Sequence, residues 1–156
     1  MKLLCVITLF LGMNLFSQET IKIGEVTNNI SMGPLAGNRD LAFGVKNILE
    51  EILQDKGLDL EPNSNKSIQI ELLYFDVLKN SMQLGGFGRQ VDVTLIAAGA
   101  NLLIDGKVVK SVTAKESSKS ISTSTLIIDK GGKFSQAGVS IALKKVCEQL
   151  IKKLKL

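Results

Sequence analysis

The sequence predicts an α+β domain: an antiparallel four-stranded sheet with two helices packed on one face, in the order β-α-β-β-β-α. Three observations carry this expectation. Apolar residues recur at helical spacing in two stretches, 41–53 and 139–154. Period-two alternation marks the segments 67–77 and 90–104. Asp105-Gly106 then supplies a two-residue turn between two extended segments. A helix with one apolar stripe and a strand with one apolar face each need a cover, so the economical packing puts both helices on one side of the sheet.

The elements follow in chain order. Ile21, Ile23 and Val26 alternate as a first strand. Residues 28–38, with Gly33, Pro34 and Gly37, read as a loop ending at Asn38, a residue able to cap a helix. From Leu41 the positions Val45, Ile48, Leu49, Ile52 and Leu53 keep one helical face, and Lys56-Gly57 supplies the stop. A polar loop over 61–66 leads into a strand from Ser67 to Val77, which alternates and then turns wholly apolar at Leu72-Leu73-Tyr74-Phe75. The next strand, Gln90 to Ile104, sets Val91, Val93 and Leu95 against Asp92 and Thr94, and Gly99 among small residues marks a bulge or a close backbone approach. Asp-Gly suits the following hairpin because both central residues of that turn take positive φ. Lys107 to about Ser124 is the return strand. The closing helix aligns Val139, Leu143, Val146, Leu150 and Leu154, and its C-terminal end is rich in lysine, where cations complement the helix dipole.

Residues 1–17 stand apart. Lys2, an uncharged apolar run and a small residue, Ser17, follow the order of a secretory signal peptide, and the run is shorter than the ~20 residues of a membrane span. Residues 18–156 then form a single α+β domain, exported and periplasmic, associated with the outer membrane. Cys5 leaves with the leader, and Cys147 alone permits no intramolecular disulfide. The formal charge of +4 is mild.

Histidine and tryptophan are absent. Without histidine the Ser-His-Asp and Cys-His nucleophile pairs, His-ligated metals and the usual proton shuttle are excluded. Neither a cofactor nor a metal is expected. Cys147 falls on the apolar stripe of the last helix, where a buried inert thiol is the expectation. Glu50 with Glu51, and Asp59 with Glu61, are neighbours in polar surroundings and read as solvated surface rather than as an acid/base pair.

Two segments remain as interaction candidates. Gly85, Gly86, Phe87, Gly88 and Arg89 read as an exposed hairpin loop, with Phe87 and Arg89 as the residues of a partner-binding tip. The stretch joins two strands and lacks G-x-G-x-x-G, which sets it apart from phosphate loops. The tract Ser111 to Thr125, rich in Ser and Thr with Lys115, Glu116 and Lys119, reads either as a charge-protected edge strand or as an edge open to strand addition. The terminal lysines suit anionic envelope lipid or lipopolysaccharide. Nucleic acid is not expected, because aromatics are 4% and the charge is low.

Taken together, the loop ending at Asn38-Arg39-Asp40, the helix with Lys56-Gly57-Leu58, the block from Ile68 to Val77, the run Val91 to Ala98, the Asp105-Gly106-Lys107 turn and the closing helix resemble the YajG-like family. Its members are small Gram-negative envelope lipoproteins of unknown function. The element order is also similar to that of the lipopolysaccharide-assembly lipoprotein that plugs a β-barrel transporter. The resemblance implies an α+β domain at the periplasmic face of the outer membrane, and it brings no catalytic residues. This sequence departs from both families in having no lipid-modified cysteine after its leader.

The expectation is therefore a non-enzymatic envelope protein, an accessory or interaction domain that binds other envelope proteins through its sheet edge or the loop 85–89. The alternative is a carrier or sensor of an amphiphilic ligand such as lipid or lipopolysaccharide, with Leu72, Leu73, Tyr74, Phe75 and Leu102-Leu103-Ile104 as pocket lining.

Overall fold

A computed structural model of the chain describes residues 19–32, 41–84, 87–121 and 136–156. The elements run β1 (Thr20–Met32), α1 (Ala42–Asp55), β2 (Asp59–Leu60), β3 (Lys66–Leu84), β4 (Phe87–Ile104), β5 (Lys107–Ile121) and α2 (Gln136–Leu154). The class is α+β as expected, but the sheet has five strands in the order β2-β1-β3-β4-β5, and it is mixed.

The expected four-stranded antiparallel sheet is corrected in two respects. β1 runs parallel to β3, and β2 parallel to β1. The cause is the connection: helix α1 lies between β1 and β3, and a crossover of that length returns the chain in the same direction, as a tight hairpin cannot. β2 is two residues long, too short to leave a periodic signal in the sequence. β1 also continues as strand through Asn28 to Met32, where a loop was expected. It does so with register irregularities between Ile23 and Val26 and between Asn28 and Ser31, which blur its alternation.

Helix α1 begins after Leu41, whose side chain makes no cap; Asn38 lies outside the described residues. Its C-terminus follows the sequence closely. Gly57 sits at φ +76°, its N–H donates to the Gln54 carbonyl at 2.8 Å, and the Leu58 N–H reaches back to the Leu53 carbonyl at 3.1 Å. That is the double hydrogen bond of a glycine-terminated helix.

β3 and β4 are unusually long partners, in register from Lys66–Ile104 to Leu84–Phe87. One irregularity interrupts them at Leu73, opposite the Ala97–Ala98 step. The bulge expected near Gly99 therefore falls on the partner strand. It explains the wholly apolar run of the sequence, because the extra residue switches the buried parity from Ile68, Ile70 and Leu72 to Phe75 and Val77. The β4–β5 hairpin closes on Asp105 (φ 50°) and Gly106 (φ 75°), as the sequence predicts.

The inner face of the sheet and the apolar stripes of both helices make one core. Ile21, Ile68, Leu72, Phe75 and Ile96 meet Leu49 and Leu53 of α1 and Leu150 and Ile151 of α2, all fully buried. Val139, Leu143, Val146 and Leu154 are buried as their spacing predicts.

Candidate functional site

Among the described residues the β3–β4 pair runs past β1 and β5. β1 last pairs at Met32–Phe75, and β5 last pairs at Ile121–Val91. Beyond those points, among the described residues, Ser81–Leu84 and Phe87–Gln90 pair only with each other. At about 3.3 Å per residue this two-stranded arm runs roughly 13 Å past the last described residue of β5. Of the five-residue loop expected at 85–89, Phe87, Gly88 and Arg89 belong instead to β4, and Gly85 and Gly86 lie outside the described residues.

β5 is an edge strand, as expected for Ser111–Thr125, of which residues 122–125 lie outside the described residues. In an antiparallel pair, alternate residues turn both main-chain groups away from their partner. Two such outward carbonyls are already taken: Lys153 Nζ donates to the Thr113 carbonyl at 2.6 Å and Lys145 Nζ to the Ser117 carbonyl at 3.2 Å. At the near end Lys110 Nζ donates to the Leu154 carbonyl, the last turn of α2, at 3.2 Å. The lysines of α2 therefore reach around the sheet and cover its edge. Cations from a helix are thereby added to the charges of the strand itself as a protection against strand addition.

On the outer face, away from the helices, Tyr74 Oη donates to Asp76 Oδ2 at 3.1 Å, while the Val77 N–H donates to Asp76 Oδ1 at 2.8 Å. Lys115 Nζ stands 5.8 Å from the Tyr74 ring centre, within cation–π range. Desolvation, and then the Asp76 carboxylate, hold the Tyr74 phenol above its usual pKa. A shallow depression of about 260 Å³ lies beside this cluster, where Gly99 leaves room between Glu71, Leu73, Ser111 and Thr113. A second, of about 240 Å³, opens between β1, β2 and α1, lined by Lys22, Lys46, Glu50 and Glu61 with Ile23 and Leu60. Both are open and charged at the rim. Leu72 and Phe75, named above as lining for an amphiphile, are core residues with no exposure.

Sequence reasoning missed one cluster. Under the first turn of α2 the inner sheet face becomes polar: Asp92, Thr94, Ser118 and Ser120 replace the aliphatic residues of the other half. Ser118 Oγ donates to the Gly138 carbonyl. Asp92 Oδ1, Thr94 Oγ1 and Ser120 Oγ are buried with no hydrogen-bond partner. The signal that could have found them is the parity of β4: Asp92 and Thr94 continue the buried series Ile96, Ala98, Ala100, Leu102.

Cys147 is buried, and burial pushes its thiol up to about 12. Glu50 and Glu51 stand on α1, Asp59 in β2 and Glu61 directly after it, and Glu50 and Glu61 line the same depression. Among the described residues no group of three or more His, Cys, Asp or Glu side chains could hold a metal. No helix among them is long and apolar enough to cross a membrane.

No family model and no curated protein matches the chain. Solved structures do. The hypothetical protein CT253 from Chlamydia trachomatis aligns with a TM-score of 0.54 at 7% identity, over 88% of this chain and 96% of that one. The minor lipoprotein from Acinetobacter baumannii aligns at 0.45 and 9% identity, over 88% and 93%. Lipoprotein GNA1162 from Neisseria meningitidis aligns at 0.45 and 12% identity, over 88% and 98%. The chlamydial match shows a shared fold; the two bacterial lipoproteins are similar in outline.

Proposed function

We propose that the chain is a non-enzymatic, exported envelope protein, an accessory domain that binds a protein partner of an outer-membrane-associated assembly through the β3–β4 arm. The observation that carries this reading is the arm itself. Among the described residues this two-stranded ribbon runs past the ends of both neighbouring strands, and unpartnered strands offer main-chain groups to a partner. Export rests on the leader at 1–17, with its single lysine followed by an apolar run. The missing histidine and the dispersed carboxylates support a binding role over catalysis.

The test is affinity purification of the tagged protein from its native envelope in mild detergent, with mass spectrometry of proteins and lipids. A stoichiometric protein partner, lost in a Phe87→Ser/Arg89→Asp variant, is the expected result. Co-purified lipid without a protein moves the weight to the carrier reading, and recovery of neither overturns both.

A further inference from the structure

We propose that the chain associates with further copies of itself head to tail, the basic β5–α2 side of one copy resting against the acidic β1–β2–α1 side of the next. The sheet order puts β5 and β2 at opposite edges, with α2 over β5 and α1 beside β1. Charge is divided between these two sides. In β5 and α2 eight lysines stand against two glutamates. From Glu19 to Lys66 the described residues carry seven carboxylates against four lysines. The net charge of the whole chain, +4, conceals this division.

Little of it is neutralised internally. Among the described residues the ion pairs are Lys66–Glu19 and Lys144–Glu51. Exposed Glu25, Asp59 and Glu61 on one side, and exposed Lys115 and Lys119 on the other, have no ion-pair partner among them. Lys145 and Lys153 already occupy outward carbonyls of β5, so a neighbour meets a row of side-chain cations there rather than an open ladder. A membrane surface or a polyanion would match the basic side alone. A second copy matches both sides with one contact, and because the two patches differ the contact is heterologous, closing into a ring or continuing as a filament. The inference stands apart from the envelope reading, since it needs neither a leader nor an outside partner.

The experiment is sedimentation velocity of the full chain at about 10 mM and about 1 M salt, between which the Debye length falls from about 30 Å to about 3 Å. Two charge-reversed variants accompany it, Lys115→Glu/Lys119→Glu and Glu25→Lys/Glu61→Lys, all at exposed positions, with circular dichroism to confirm their fold. The wild type is expected to sediment as oligomers at low salt and as a monomer at high salt. Each variant alone is expected to be monomeric in both, and a one-to-one mixture of the two to recover oligomers, because each restores the opposite charge the other needs. A wild type monomeric at low salt overturns the proposal, and if that monomer floats with vesicles containing anionic lipid the basic side belongs to a membrane. Association that ignores salt, or that survives in either variant alone, overturns it as well.

Discussion

The inner face of the sheet holds α2 in two different ways along its length. Under the second half of the helix the sheet offers Ala98, Ala100 and Leu102 to an apolar helix face of Leu150, Ile151 and Leu154. Beneath the first turn it offers Asp92, Thr94, Ser118 and Ser120 to Gly138. The apolar half gains from every area of surface taken from water. Its polar counterpart gains little, since three of its buried oxygens have no partner. What the polar half does is fix position: Gly138 lets the helix backbone come down onto the hydroxyls, and Ser118 ties its carbonyl to the strand. No acidic residue stands in the first turn of α2, and Asp92 of β4, one rung beyond Thr94, lies towards that positive helix end.

The largest effect should come from the apolar half. Phe75 is fully buried at the bulge-switched position, with no polar handle, and Phe75→Ala should cost about 3–5 kcal/mol in urea unfolding by losing transfer energy and leaving a cavity. A loss below about 1 kcal/mol would mean that this half repacks freely.

Next comes Gly138. A Cβ there would stand 2.9 Å from Ser120 Oγ and 3.2 Å from Thr94 Oγ1. The serine can rotate away, but the threonine is β-branched and wholly buried, so its oxygen has little freedom. Gly138→Val should therefore lose about 1–3 kcal/mol. Part of that loss should return in a Thr94→Ala background, so that the double variant loses less than the sum of the two single ones. Strict additivity would show that the helix start is not seated on these hydroxyls.

These contrasts also explain what could be foreseen. Both helices, the Gly57 stop and the Asp105-Gly106 turn were legible because each is written in a local pattern of spacing or positive φ. The direction of β1 was not, because alternation in Ile21, Ile23 and Val26 is the same whichever way the strand runs; only the helical crossover decides it. The polar seat was hidden for another reason. Asp92 and Thr94 look like the solvent face of an alternating strand, and their burial depends on which parity the Leu73 bulge and α2 select. The lysine cover of β5 joins residues 28 and 40 positions apart, beyond the reach of any local pattern.

In the apolar half the comparison extends to pH. The Cys147 thiol is raised from 9.0 to about 12, first by desolvation and then by the Glu148 charge; on the outer face the Tyr74 phenol moves in the same direction. A raised pKa in the folded state means the unfolded chain loses its proton first. The contribution is complete below pH 9 and is lost as pH climbs towards 12. Unfolding midpoints should be flat near neutrality and fall through that window, less steeply in Cys147→Ala. The thiol itself should resist a disulfide reagent at pH 8 until denaturant is added; rapid reaction in the native protein would contradict its burial.

The smallest effect tests the polar half at its centre. Thr94 has no exposed surface, and its Oγ1 has no hydrogen-bond partner. Thr94→Val replaces that hydroxyl by a methyl of similar shape, so it removes an orphaned oxygen from beneath the helix and leaves the seat filled. Removing an unsatisfied polar group is neutral or favourable, so the variant should lie within about 1 kcal/mol of the wild type, on the stable side. Ser118→Ala, at the register partner of Thr94 on β5, should instead lose about 1 kcal/mol, because its hydroxyl does have a partner in the Gly138 carbonyl. Opposite signs at paired positions Thr94 and Ser118 would show that the polar half is held by one hydrogen bond and a close approach, not by its polarity as such. Equal losses at both would mean that Thr94 Oγ1 is satisfied in solution, and the seat would then be a hydrogen-bonded network of the kind that rigidifies a core.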